Sequence, residues 1–207
     1  MRWAVLTGDI VDSSDMSSAD LDAVMAALAA IPADVADWTF PNAAVKIHLS
    51  RRGGDGWQMA MSRPVFSLRI ALFLQANIKA NGASTRIAVA TGEGHVPDVP
   101  DPDLNSAHGP AFQASGRLLE QLDNRTLMAH ADGGALDAAF RLADHISQGW
   151  TQAQARALCL MLPPGAGPRR VAAKQLGISR QAVDQALNAA GYPALMDAIE
   201  AVEAALE

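Results

Sequence analysis

Apolar residues in the first half of the chain recur with two different periods, and the switching between them predicts a mixed fold. Trp3-Ala4-Val5-Leu6 is an apolar run closed by Thr7-Gly8-Asp9, which reads as a buried strand with Asp9 just past its end. Ser17 and Ser18 are helix-capping residue types, and Leu21, Val24, Met25, Leu28 and Ile31 follow at helical spacing until Pro32, where the helix is expected to stop. Residues 44–49 alternate as a strand, Gly53-Gly54-Asp55-Gly56 turns the chain, and Trp57 to Met61 returns as the second strand of a hairpin. Pro64 opens an apolar helix through Ala80, and Thr85 to Thr91 alternates with Ile87 and Val89 on one face. Strand, helix, strand, strand, helix, strand is the βαββαβ order of a ferredoxin-like α+β domain.

The pattern then changes. Residues 97–102, PDVPDP, read as a surface loop. A helix over Gly109 to Leu122, a short strand over Leu127 to Ala129 and a helix over Ala135 to Ile146 follow, and Gly149 and Trp150 mark a boundary. From Thr151 onward every periodic stretch is helical, interrupted only by LPPGAGP, so the chain divides into an α+β domain over 1–148 and a small all-α domain over 150–207. Within the second domain RRVAAKQLGISRQAVDQALNAAGY has the spacing of a helix-turn-helix. Ala173 is small where two helices must approach, Gly177 supplies the turn, Ile178 is expected to plug the core, Ser179 caps the next helix, and Val183 and Leu187 face inward. A helical hairpin used only for packing has the same signature. Leu195, Met196, Ile199, Val202 and Leu206 form a last apolar stripe that either pairs two chains or covers the core of the small domain.

Composition narrows the class. Half of the 207 residues are hydrophobic and 18% are charged, which suits a folded domain and not a disordered one. Asp9 interrupts the N-terminus before a signal-peptide core could form, and no apolar run approaches the length of a membrane span, so a cytoplasmic location is expected. The single cysteine, Cys159, excludes a disulfide framework and reads as a small buried hydrophobe. None of the five histidines has zinc-ligand spacing. Net charge is −6, but from Trp150 onward the basic residues Arg156, Arg169, Arg170, Lys174 and Arg180 balance the acids, and four of them cluster at Arg169 to Arg180. A local basic face is therefore compatible with the acidic total.

In a ferredoxin-like sheet the first and third strands are neighbours, so Asp9 and Asp55 are expected to approach each other at one sheet end. Two such carboxylates suit Mg²⁺ or Mn²⁺, which take oxygen ligands and bridge nucleotide phosphates. Read singly, Asp55 is equally the acid of a tight turn and Asp9 a solvated strand end, and Asp12 and Asp15 belong to a polar loop. Four segments taken in order resemble class III nucleotide cyclases: VLTGDIVDSS, GGDGWQMAM, TRIAVATGEG and HGPAFQASGRLLEQL. The resemblance implies metal ligation by Asp9 and Asp55 and charge stabilisation by Arg117. It sets Gln113 on the position of the family's catalytic asparagine, and Arg51 and Ser106 on its base-recognition positions, with Gly54 in the nucleotide-binding hairpin. The family's lysine near the last strand has no counterpart at Leu127 to His130. A degenerate cyclase-like domain is thus implied, together with the homodimer in which these domains pair.

On the second helix of the helix-turn-helix, assigning the core positions leaves Arg180, Gln181, Asp184, Gln185 and Asn188 outside. Arg and Gln suit base edges in the major groove, while Arg169, Arg170, Lys174 and the start of the helix at Ser179 suit phosphates. GDIVDSS, GGDGWQ and GPAFQASGRL, followed by this unit, also resemble the SatD family. Together these readings point to a cytoplasmic DNA-binding regulator whose first domain senses a nucleotide or metal, or mediates dimerization. The alternatives are a metal-dependent nucleotidyl cyclase or related nucleotide-processing enzyme, and a pair of protein-interaction modules.

Overall fold

The computed structural model describes residues 1–38, 45–100 and 102–207, and its architecture is α+β. In chain order the elements are β1 (Arg2–Ile10), α1 (Ser18–Ala36), β2 (Ile47–Arg52), β3 (Gly56–Met61), α2 (Ser67–Ala80), β4 (Thr85–Glu93), α3 (Pro110–Leu119), β5 (Met128–His130), α4 (Gly134–Gln148), α5 (Gln152–Met161), α6 (Arg169–Leu176), α7 (Arg180–Ala189) and α8 (Tyr192–Leu206). Ala44, the expected start of β2, and Asp101, within the expected loop, lie outside the described residues.

The five strands form one sheet in the order β2-β3-β1-β4-β5, antiparallel except for the β4–β5 pair. Its period-2 pattern serves two faces. Ala4, Leu6 and Ile10 of β1, Trp57, Met59 and Met61 of β3, and Ile87 and Val89 of β4 join the main core with α1, α2 and α4. The alternate positions Trp3, Val5 and Ala60 pack instead under Ala111 and Phe112 of α3 and under Leu104. Ala88 and Ala129 continue that second face toward Leu122.

Helix α2 is buried on nearly all sides from Ser67 to Ala76 because it lies between the sheet and the C-terminal helices. Ala157, Leu158, Val183, Leu187, Leu195, Ile199 and Val202 belong to the same apolar cluster as α2 and the sheet. The stripe of α8 therefore covers core. Trp150 Nε1 donates to the Ala190 carbonyl at 2.9 Å, fastening the end of α7 to the segment before α5.

Three local expectations change. Helix α1 does not stop at Pro32 but continues to Ala36, since burial of Ile31 and Val35 against the core outweighs the missing N–H. Strand β1 extends past Leu6 to Ile10, because both neighbours keep pairing with it, so Asp9 lies inside the strand, opposite Gly56 on one side and Arg86 on the other. Ile178 is 45% exposed and plugs nothing; Ala172, Ala173, Val183 and Leu187 fill the space between the helices without it.

Candidate functional site

The carboxylate end of the sheet is built from the last residues of β1 and the first of β3 and β4. Gly8 leaves room for the Trp57 ring: a Cβ on Gly8 would lie 2.3 Å from that ring and from the Arg86 carbonyl oxygen. With its ring across β1, Trp57 Nε1 donates to Thr85 Oγ1 at 3.0 Å, and Thr85 Oγ1 donates to the Asp9 carbonyl at 2.6 Å. That brace fixes the backbone from which the Asp9 side chain projects.

Asp9 meets Arg86 in a two-pronged pair, Nε to Oδ1 at 2.8 Å and Nη2 to Oδ2 at 2.5 Å, and Arg86 Nη1 also donates to the Leu122 carbonyl at 3.1 Å. Such forked pairs are the strong ones. Asp55 joins them at the same sheet end, its carbonyl accepting from Ile10 N at 3.3 Å and its carboxylate accepting from the Ser13 hydroxyl. The Arg86 guanidinium is pushed above its ordinary range, first by the hydrogen bond to Asp9, against partial burial, and then by the charges of Asp9 and Asp55. Two acids and one guanidinium thus share one field. Further along this face Gln58 Nε2 donates to Thr7 Oγ1 at 2.9 Å, and Thr7 meets Ser115 Oγ of α3 at 2.8 Å.

The other residues expected at this end are dispersed. Arg51 donates through Nε (2.8 Å) and Nη2 (2.5 Å) to the Gly54 carbonyl and through Nη1 (3.1 Å) to Asp22 of α1, which clamps the hairpin turn on the α1 side, the face opposite Asp9. The Ser106 hydroxyl is spent on the Asp103 carbonyl at 2.7 Å. Gln113 and Arg117 are on the exposed side of α3, whose Ala111, Phe112 and Ser115 face the sheet, and neither side chain makes a hydrogen bond or ion pair with a described residue. No group of three or more His, Cys, Asp or Glu side chains suited to a metal ion occurs among the described residues. Asp9 and Asp55 would offer an ion two carboxylates, a number Mg²⁺ commonly takes when substrate phosphates and water complete its shell. Arg86 would have to release Asp9 for the ion.

Arg86 was missed at the sequence level. In Thr85–Glu93 it reads as the solvent-side member of an alternating strand, and only the β1–β4 register puts it beside Asp9. His95 and His108 pair through both backbone groups, with rings 5.1 Å apart, so His108 has a local partner. Cys159 is partly buried, and burial pushes its thiol up to about 12.

The second region is the α6–α7 pair. Gly177 ends α6 at φ 67°, a left-handed conformation natural to glycine, and Ile178 N donates back to the Ala173 carbonyl at 3.1 Å. Ser179 Oγ accepts from Ala182 N at 3.1 Å, so this hydroxyl caps α7. Val183 and Leu187 are buried while Arg180, Gln181, Gln185 and Asn188 are exposed, and Arg170 and Lys174 are exposed without an ion pair among the described residues. Arg169 is different. Its Nη1 donates to Asp184 Oδ1 at 2.7 Å, and Arg180 Nε lies 3.4 Å from the other oxygen of the same carboxylate. Asp184 is held below the usual carboxylate range, chiefly by the Arg169 hydrogen bond and then, against slight desolvation, by the charges of both arginines.

No protein-family model matches this sequence, and no curated protein matches it significantly. No helix among the described residues is long and apolar enough to cross a membrane.

Proposed function

We propose that the chain is a cytoplasmic DNA-binding regulator of SatD type, in which α6 and α7 form a helix-turn-helix and the sheet with α1 to α3 is a ferredoxin-like, degenerate nucleotide cyclase-like domain. One observation carries this reading: α7 starts at a Ser179 cap after the left-handed Gly177, buries Val183 and Leu187, and leaves Arg180, Gln181, Gln185 and Asn188 open to solvent. A helix with that division can enter the major groove without unpacking. Arg169, Arg170 and Lys174 on α6 flank it with positive charge suited to phosphates. A homodimer would offer two such helices to a two-fold site.

The nucleotide side of the proposal is supported by the meeting of Asp9, Asp55 and Arg86 at one sheet end. Asp9 and Asp55 would hold Mg²⁺ or Mn²⁺ together with phosphate oxygens, and the ion would supply charge neutralisation there. Released from Asp9, the Arg86 guanidinium would be free to pair with a phosphate. The same observation favours a second reading, a metal-dependent nucleotidyl cyclase or related enzyme. Against turnover in a single chain stand Gln113 and Arg117, exposed on α3 with no hydrogen bond or ion pair to either carboxylate.

Duplex DNA titrated with the full chain over a range of salt concentrations tests the regulator. The expected result is saturable binding whose log K falls linearly with log salt; an absence of salt-sensitive binding refutes it. Calorimetry with ATP and GTP, with and without Mn²⁺, tests the sensor, and binding lost in Asp55→Asn is expected. Pyrophosphate release by the wild-type chain, abolished in Asp55→Asn, would instead establish the enzyme.

A further inference from the structure

At 3.6 residues per turn, Gln181, Gln185 and Asn188 lie on the half of α7 turned away from Val183 and Leu187, whereas Arg180 and Asp184 lie closer to that buried pair, on the flank that faces α6. There Arg169 reaches across from α6 to Asp184 at 2.7 Å, and Arg180 Nε stands 3.4 Å from the same carboxylate. Pro168, Arg169, Arg170, Arg180 and Asp184 together line a concavity of about 300 Å³. Three guanidinium groups against one carboxylate leave two positive charges in a recess large enough for a tetrahedral oxyanion. Arg180 remains 70% exposed, so its second nitrogen edge is open to a ligand while Nε is directed to Asp184.

We propose that Arg180 acts on the sugar-phosphate backbone of DNA, as one jaw of a phosphate seat shared with Arg169 and Arg170 and organised by Asp184, and that base reading by α7 falls to Gln181 and Gln185. This rests on the DNA-binding reading above and changes the role that sequence alone suggests for Arg180. A guanidinium tethered at i+4 on the flank of the helix is turned from the groove floor toward its wall, where forked hydrogen bonding to phosphate is favourable. Two glutamines on the outermost ridge are then the side chains with amide groups suited to adenine edges.

The test compares two short duplexes in fluorescence anisotropy with the full chain: one that the wild-type protein selects from a random pool, and a scrambled duplex of equal length and composition. Arg180→Ala is expected to weaken binding to both by the same factor, roughly three- to tenfold at low salt, and to make the salt dependence shallower by about one phosphate's worth of slope. Gln185→Ala is expected to weaken only the selected duplex and to leave the slope unchanged. A loss in Arg180→Ala confined to the selected duplex, or no change in affinity and slope, overturns the phosphate seat while leaving DNA binding intact. Failure of the wild-type chain to bind either duplex overturns the DNA-binding reading itself. Because Arg180 is so exposed, the variant is expected to unfold at the wild-type temperature, which a melting curve verifies.

Discussion

His130 is held as a neutral ring. Its side chain is fully buried, Nδ1 accepts from Asp132 N at 3.2 Å, so the ring proton sits on Nε2, and Nε2 has no hydrogen-bond partner among the described residues. Burial pushes its pKa below 6.5, against the charges of Asp132 and Asp137, the acids that face it; Arg141 is paired with Asp137, and Phe140 covers the ring at 5.1 Å. Below about pH 6.5 the unfolded chain takes up a proton that the folded ring refuses, so stability falls as pH drops from there to the lowered folded value. His130→Leu is expected to shrink the difference in melting temperature between about pH 7.5 and 5.5, and an unchanged difference would assign it elsewhere. Asp144 has the opposite sign. It is 2% exposed, Oδ2 accepts from Leu127 N and Gln148 Nε2, both at 2.9 Å, Oδ1 has no hydrogen-bond partner among the described residues, and burial raises its pKa above 3.8. Stability is therefore lost as pH rises from 3.8 through the raised value, and the loss persists at neutrality. Asp144→Asn keeps the acceptor and removes the desolvated charge, so a higher melting temperature near pH 7 is expected, with no gain near pH 3.5.

Elements are where local pattern and long-range pairing part. The strand alternation of Thr85 to Thr91, the turn at Gly177 and the cap at Ser179 were legible, because each follows from spacing within a few residues. Pro32 misled for the same reason: its breaking effect is local, whereas the burial that carries α1 to Ala36 depends on a sheet assembled from distant segments. Ile178 reads as core by its place after the turn glycine, yet the small Ala172 and Ala173 bring the helices close enough that Val183 and Leu187 fill the gap alone. Gly8 shows what pairing adds. In sequence it is one more small residue before an acid; in the sheet it is the point where Trp57 crosses β1 toward Thr85. Gly8→Ala is expected to cost about 3 kcal/mol, at the upper end for an overpacked core. Urea unfolding would read this as a lower midpoint with an unchanged m-value, and an unaltered midpoint would mean that Trp57 moves aside freely.

At the scale of the whole molecule the least legible feature is Arg69, a buried cation within a helix read as apolar. Its partner lies 134 residues on: Nε and Nη2 donate to Glu203 of α8 at 2.6 and 3.1 Å, and Nη1 donates to the Leu162 carbonyl at the end of α5 at 2.9 Å. No window of sequence contains both charges. Arg69 is 5% exposed and the Glu203 side chain 19%, so salt screens this pair far less than a surface one. Removing one member leaves the other buried and under-partnered, and Glu203→Ala is expected to cost about 3 kcal/mol. Replacing both by apolar residues of similar length removes the stranded charge, and Arg69→Met with Glu203→Met is expected to recover most of that loss. Thermal unfolding of Arg69→Met, Glu203→Met and the double variant closes a double-mutant cycle. A coupling well above the few tenths of a kcal/mol typical of independent sites would establish that this ion pair docks α8 onto α2, whereas strictly additive losses would assign the docking to Leu195, Ile199 and Val202 alone.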